Sequence, residues 1–159
     1  MTSEWYASIE AAHPDFRKNW IRHRFNEGHL AKILQAGTTL EARDATFRIV
    51  SGLADSRAFS FVATNPNLGS FYLRHQGYRI KLHQSDGSDQ FKQDATFIFT
   101  PPLAYEVAQE PAGCSLRSYQ WPNYFIRHIN RELWLGKTDA SEQFKWDASF
   151  HVRPGLYPT

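Results

Sequence analysis

The chain has 159 residues, enough for one domain to bury a core without disulfide or metal staples. Hydrophobic residues at 42%, aromatics at 15% and a formal net charge of only +2 exclude the disordered and strongly polyionic classes. The 18 Lys and Arg are scattered among 16 acidic residues, so the mildly basic balance (pI about 8.7) contains no block that would mark a nucleic-acid surface.

From the N-terminus, MTSEWYASIEAAH shows no basic start followed by an apolar run, and no later segment reaches the about 18 apolar residues of a membrane helix. SEWYASIEAA is expected to open as a short helical turn. The lone cysteine, Cys114, permits no intrachain disulfide and no cysteine-based metal site, and reads as a buried or idle thiol.

The chain then says the same thing three times. EARDATFRI (41–49), FKQDATFIF (91–99) and FKWDASFHV (144–152) share Asp-Ala-Thr/Ser-Phe, and upstream of each lies an Arg-His pair, in WIRH, YLRH and FIRH. Arg22, Arg74 and Arg127 are 52 and 53 positions apart. Nineteen positions separate His75 from Asp94 and His128 from Asp147, and 21 separate His23 from Asp44, which implies two extra residues in a first-copy loop. Each copy starts on a proline turn: HPDFRKNWIRH, NPNLGSFYLRH and WPNYFIRH.

Within each copy the pattern is of short strands with almost no helix. In the third, SLRSY, YFIRHI, ELWLG and ASFHV are apolar or alternating runs separated by turn residues. SDGSD (85–89) would be the hairpin turn between the third and fourth strands of the second copy. Three units of four strands predict an all-β, pseudo-threefold closed barrel, a β-trefoil, in one domain over 1–159 with repeats at about 8–55, 56–108 and 109–159. Closure removes exposed strand edges. Trp20, Tyr72, Phe125, Phe47, Phe97 and Phe150 are the periodic core aromatics.

Three polar positions per copy need another explanation. Neighbours in a strand face opposite sides, so the Arg and the His of a pair should not share a task. Each Asp either pairs with the Arg or caps a turn, pinning strands, or joins the His in gripping sugar hydroxyls. A carboxylate accepts hydroxyl hydrogens and an imidazole donates or accepts. A glycosidase needs two carboxyls about 5 to 9.5 Å apart, whereas threefold symmetry distributes equivalent groups around an axis. No HExxH, GxSxG or phosphate-cradling glycine loop is present, so no catalytic centre is assigned.

The stretches YLRHQGYRIKLHQSDGSDQFKQDATF (72–97) and FIRHINRELWLGKTDASEQFKWDASF (125–150), with PGL at 154–156, resemble the arabinose-binding domain of fungal and bacterial α-L-arabinofuranosidases B, carbohydrate-binding module family 42. The resemblance implies a trefoil whose pockets take arabinofuranose side branches of arabinoxylan or arabinan, with no catalysis, metal or cofactor of its own. Carried across by position, it implies one pocket at His75 and Asp94 with Tyr78, and another at His128 and Asp147 with Asn130; Tyr119 and Trp121 are candidates to pack on a sugar face. His23 and Asp44 make a weaker first pocket, because Glu41 replaces Phe91 and Phe144, the loop AKILQAGTTLEA is longer, and the DGS-like turn is missing. The expected partner is a polysaccharide with arabinofuranosyl branches, bound by a monomer, with neither nucleic acid nor membrane involved. The alternative is a lectin-like or protein-interaction trefoil. The compartment would be extracellular for a module cut from a secreted glycoside hydrolase and cytoplasmic for a complete chain.

Overall fold

A computed structural model of the chain describes residues 4–159. The first unit contains β1 (Trp5–Ala11), a 3-10 turn (Pro14–Phe16), β2 (Asn19–Arg24), β3 (Glu27–Lys32), α1 (Leu40–Asp44) and β4 (Phe47–Ser51). The second contains β5 (Phe59–Ala63), β6 (Phe71–Gln76), β7 (Arg79–Gln84), α2 (Asp89–Asp94) and β8 (Phe97–Thr100). After the connecting α3 (Tyr105–Ala108), the third contains β9 (Gly113–Ser118), β10 (Tyr124–Ile129), β11 (Glu132–Lys137), α4 (Glu142–Asp147) and β12 (Phe150–Pro154).

The pairings describe a β-trefoil. Antiparallel contacts run β1–β4, β4–β5, β5–β8, β8–β9, β9–β12 and β12–β1, closing a ring of six strands. The hairpins β2–β3, β6–β7 and β10–β11 hang from this barrel, and β3, β7 and β11 pair with one another to close its end as a triangle. Each hairpin turns on two residues of positive φ: Phe25-Asn26, Gly77-Tyr78 and Asn130-Arg131. This is the geometry whose twist matches that of the flanking strands. The second turn residue then offers its carbonyl to a leucine of another hairpin: Asn26 to Leu82 (2.9 Å), Tyr78 to Leu135 (2.7 Å) and Arg131 to Leu30 (2.8 Å). At the triangle Gly28 takes the register position held by Ile80 and Leu133, and a Cβ there would lie 3.0 Å from each of those side chains. One of the three had to be glycine.

The core explains most of the repeated Asp-Ala-Thr/Ser-Phe. Phe47, Phe97 and Phe150 open β4, β8 and β12 and are fully buried with Ile9, Phe61, Leu116 and the strand leucines and isoleucines. Burial of one such ring contributes about 1.5–3 kcal/mol. Ala45, Ala95 and Ala148 have no exposure, and their carbonyls accept the hydroxyls of Ser8, Ser60 and Ser115 at 2.6, 2.7 and 2.6 Å. The hydroxyls of Thr46, Thr96 and Ser149 donate back four residues to a helix carbonyl and accept from the backbone N–H of Tyr157, Ala54 and Ala104 in the strap that follows a strand. A larger residue than alanine, or one without the hydroxyl, would break this latch.

Several sequence expectations change. Residues 40–44, 89–94 and 142–147 are single helical turns, with Thr39, Ser88 and Ser141 as caps accepting from the N–H three residues on, each at 3.1 Å. The repeated Asp is therefore the last residue of a helix and not the entrance of a strand. SDGSD is no hairpin turn: β7 does not pair with β8, and Asp86 instead accepts from the Ser88 N–H (2.8 Å) to set up the α2 cap. Of SEWYASIEAA, Ser3 lies outside the described residues and Trp5–Ala11 is barrel strand β1, held in the ring by β4 and β12 on either side. Trp20, Tyr72 and Phe125 lie outside the central core. Trp20 packs with Ile33, Ala42 and Leu156, Phe125 with Phe144, and half-buried Tyr72 edge-on to Phe91, so they hold the helical turns down.

Candidate functional site

Each hairpin brings the Arg and His of its outgoing strand to the Asp that ends the following helical turn. His23, His75 and His128 share a strand face with the core residues Ile21, Leu73 and Ile126, and are buried. Arg22, Arg74 and Arg127 leave from the opposite face, as alternation requires, and yet reach the same carboxylate. Arg22 donates to Asp44 Oδ2 at 2.5 Å, Arg127 to Asp147 Oδ2 at 2.6 Å, and Arg74 to Asp94 Oδ2. Arg74 and Arg127 also lie over the rings of Phe91 and Phe144. The expectation that Arg and His divide their tasks thus holds for direction but not destination. One carboxylate oxygen is the Arg's in every unit, and the other faces the His at 3.6, 3.7 and 3.9 Å.

What happens at that second oxygen differs between units. In the first, Asn65 Nδ2 donates to Asp44 Oδ1 (2.7 Å) and Asn65 Oδ1 accepts from His23 Nε2 (3.0 Å). A carboxylate cannot donate, which fixes both the amide orientation and the His23 tautomer. In the second, Gln90 Nε2 donates to Asp94 Oδ1 (2.8 Å), while the Trp121 ring covers His75 with centroids 4.6 Å apart. Tyr78, at φ 63 in its turn and half-exposed, lies against Trp121 (5.5 Å) and stacks on Tyr124 (5.8 Å). In the third, Asp147 Oδ1 accepts no hydrogen bond among the described residues, and His128 Nε2 is buried without a partner, as is His75 Nε2. His128 and Asp147 line a cavity of about 250 Å3 with His13, Phe16, Asn130 and Gln143. Phe16 packs edge-on to His128 at 4.9 Å.

Electrostatics follow from burial. Desolvation lowers the pKa of His23 and His75 and takes His128 down to about 4, so these imidazoles are neutral at pH 7. Burial also raises the Asp147 carboxyl, outweighing the opposing pull of Arg127. A neutral imidazole beside an Arg-anchored carboxylate donates to and accepts from hydroxyls. Among the described residues no group of three or more His, Cys, Asp or Glu converges on a metal position. A separate cavity of about 190 Å3 beside Glu10, Lys18, His151 and Arg153 contains none of the repeated residues, and its charges answer one another, with Arg153 Nε donating to Glu10 Oε1 (3.2 Å) and His151 lying 2.7 Å from Glu110.

Thus His75 and Asp94 come together, with Tyr78 joined to them only through Trp121; His128, Asp147 and Asn130 line one cavity, and His23 faces Asp44. Trp121 lies against His75 in the second unit. Tyr119 is not among the residues lining the third cavity; its N–H is bonded to Thr96 O (3.1 Å). The residues that the sequence reading overlooked are His13, Phe16 and Gln143 at the third pocket, Gln90 and Tyr124 at the second, and Asn65 at the first. His13, Asn65 and Trp121 stand immediately before the proline of the next unit's opening turn, and that position was the available signal.

Residues 9–152 match the family model of the α-L-arabinofuranosidase B (ABFB) domain. An α-L-arabinofuranosidase of Hypocrea jecorina is 29% identical over 143 residues, 86% of this chain and 27% of that protein. A probable α-L-arabinofuranosidase B of Aspergillus clavatus is 31% identical over the same shares. A crystal structure of an arabinofuranosidase complexed with arabinofuranosyl-α-1,2-xylobiose superposes with a TM-score of 0.83 at 26% identity, over 98% of this chain and 32% of that one. A BEL β-trefoil superposes with a TM-score of 0.61 at 12% identity, over 93% and 91% of the two chains, and shows the fold alone. The chain spans about a quarter of the length of the curated relatives it matches. It belongs to the α-L-arabinofuranosidase B domain family.

Proposed function

We propose that this domain is a non-catalytic carbohydrate-binding module that takes arabinofuranosyl branches of arabinoxylan or arabinan in its third and second pockets. One observation carries the reading: in the third unit a carboxylate anchored on one oxygen by Arg127 keeps its other oxygen without a protein partner, 3.9 Å from His128 Nδ1, and both residues line a cavity of about 250 Å3. A carboxylate oxygen with no protein donor accepts a ligand hydroxyl, and the neighbouring neutral imidazole donates or accepts beside it. Phe16 supplies an apolar wall. The second site has the same Arg, His and Asp, with Gln90 on Asp94 Oδ1 as the donor that a ligand hydroxyl would replace and Trp121, Tyr78 and Tyr124 as an aromatic platform.

A pentose has on the order of 10 heavy atoms, and at ~0.3–0.5 kcal/mol each one pocket reaches about 3–5 kcal/mol, or millimolar affinity. Two such pockets on one rigid barrel raise retention on a branched polymer by avidity. Affinity electrophoresis in gels containing arabinosylated or debranched xylan tests this. Retardation by the arabinosylated gel alone is expected. Equal mobility in both would leave the Arg–Asp pairs as strand pins and favour a protein-interaction trefoil.

A further inference from the structure

Asn65 makes the hydrogen bonds that a bound hydroxyl pair would make. Its Nδ2 donates to Asp44 Oδ1 and its Oδ1 accepts from His23 Nε2, so one amide bridges the carboxylate oxygen and the imidazole nitrogen that face each other; in the third unit the facing atoms are Asp147 Oδ1 and His128 Nδ1, and no side chain bridges them. We infer that Asn65 is a built-in plug, an internal surrogate ligand that closes the first pocket, and that the residue before each unit's opening proline decides whether the preceding unit's pocket can be occupied. This inference rests on the binding function proposed above.

The fold supplies the reason. His13, Asn65 and Trp121 sit at equivalent places on three equivalent turns, in each of which the carbonyl of this residue accepts from the N–H three positions on, at 2.9, 3.1 and 2.9 Å. Each side chain points backward into the unit before it: Asn65 onto His23 and Asp44, Trp121 onto His75, and His13, across the closure of the ring, towards His128. The backbone is the same, so only the side chain differs. The amide has the reach, the donor and the acceptor to bridge His and Asp. The indole lies over His75 and leaves the carboxylate to Gln90, whose Nε2 donates to Asp94 Oδ1 (2.8 Å) from the second unit's own helical turn. The His13 ring lies 6.0 Å from that of His128 and leaves a cavity between them. A group tethered on a rigid turn acts at an effective concentration of millimolar or above, so a free sugar of millimolar affinity does not displace Asn65 as it would water.

Two reciprocal variants test the plug. Asn65→Ala removes the amide and leaves room, and His13→Asn installs it at the third pocket. Imidazole nitrogen and carbon resonances of both variants and of the parent are followed by NMR during titration with methyl α-L-arabinofuranoside. In the parent, His128 is expected to respond and His23 to stay silent. In Asn65→Ala, His23 is expected to respond as well, with one more equivalent bound, and its Nε2–H to exchange faster with solvent before any sugar is added. In His13→Asn the His128 response is expected to fall at least tenfold in apparent affinity. A folded Asn65→Ala whose His128 responds while His23 stays silent would overturn the plug and leave the binding reading intact. Silence of all three histidines in both the parent and Asn65→Ala would overturn both. Should Asn65→Ala fail to fold, His13→Asn decides, and unchanged His128 affinity in it would overturn the inference.

Discussion

The first and third pockets share their Arg, His and Asp and the backbone that holds them, yet one is closed and the other open. In the first, every polar atom facing the site has a protein partner: Arg22 and Asn65 occupy the Asp44 oxygens, and His23 is spent on Asn65. In the third, the Arg127–Asp147 pair is kept while Asp147 Oδ1 and His128 Nε2 have no partner. The difference teaches that Arg–Asp pairing and a ligand site are not competing explanations. The pairing is common to all three units, and what differs is the partner of the second carboxylate oxygen: Asn65 in the first, Gln90 in the second and none among the described residues in the third.

The largest effect that separates the two pockets is expected from Asp44→Ala. It strands a nearly buried Arg22 guanidinium and the Asn65 amide together, and should cost about 3–5 kcal/mol in denaturant unfolding while leaving sugar retention unchanged. Loss of retention in a folded Asp44→Ala protein would break the comparison.

Acid comes next. The unfolded chain takes up a proton at each histidine near pH 6.5, whereas folded His128 resists until about pH 4, with His23 and His75 lowered in the same direction. Lowering the pH therefore favours the unfolded state. Stability should be full above pH 6.5 and fall through the window down to about pH 4, by on the order of 3 kcal/mol for His128 alone. His128→Asn should flatten that slope in unfolding curves recorded at pH 7 and pH 4.5; an unchanged slope would contradict the burial argument.

Asp147→Ala should weaken retention on arabinosylated xylan at least tenfold, about 1.4 kcal/mol, and combining it with Asp94→Ala should abolish it. Circular dichroism would show whether the barrel survives, and retention that survives in a folded double variant would exclude these carboxylates as the grip. The smallest effect is expected from Trp121→Ala, which strips the cover from His75 and removes the stacking surface of Tyr78. Retention should fall a few-fold, and a rise would mean that the indole obstructs the second pocket.

Much of the fold was legible because threefold repetition put the same physical demand on the same residue types: Phe97 fills the core, Thr96 latches a helix to a strap, and Ala95 has no space to be larger. The helical turns were not legible as helices. Five or six residues are too few to show a 3.6-residue period, although Ser88 and Ser141 preceding an acidic residue were usable caps. The site was half legible for a different reason. Reading each copy as a self-contained unit found His128 and Asp147 and offered Tyr119 and Trp121 as sugar-facing rings, whereas the wall of the third cavity comes from His13 and Phe16, more than a hundred positions away and brought round by barrel closure. A repeat shows what every unit needs; the residues that distinguish one pocket from another lie where the copies disagree, as His13, Asn65 and Trp121 do.

The most direct test is the histidine NMR spectrum of the unaltered protein titrated with methyl α-L-arabinofuranoside at pH 7. The expected result is saturable, millimolar-range shifts at His128 and His75 with none at His23. Absence of any shift, or a response of His23 equal to that of His128, would contradict an open third pocket set against a closed first one.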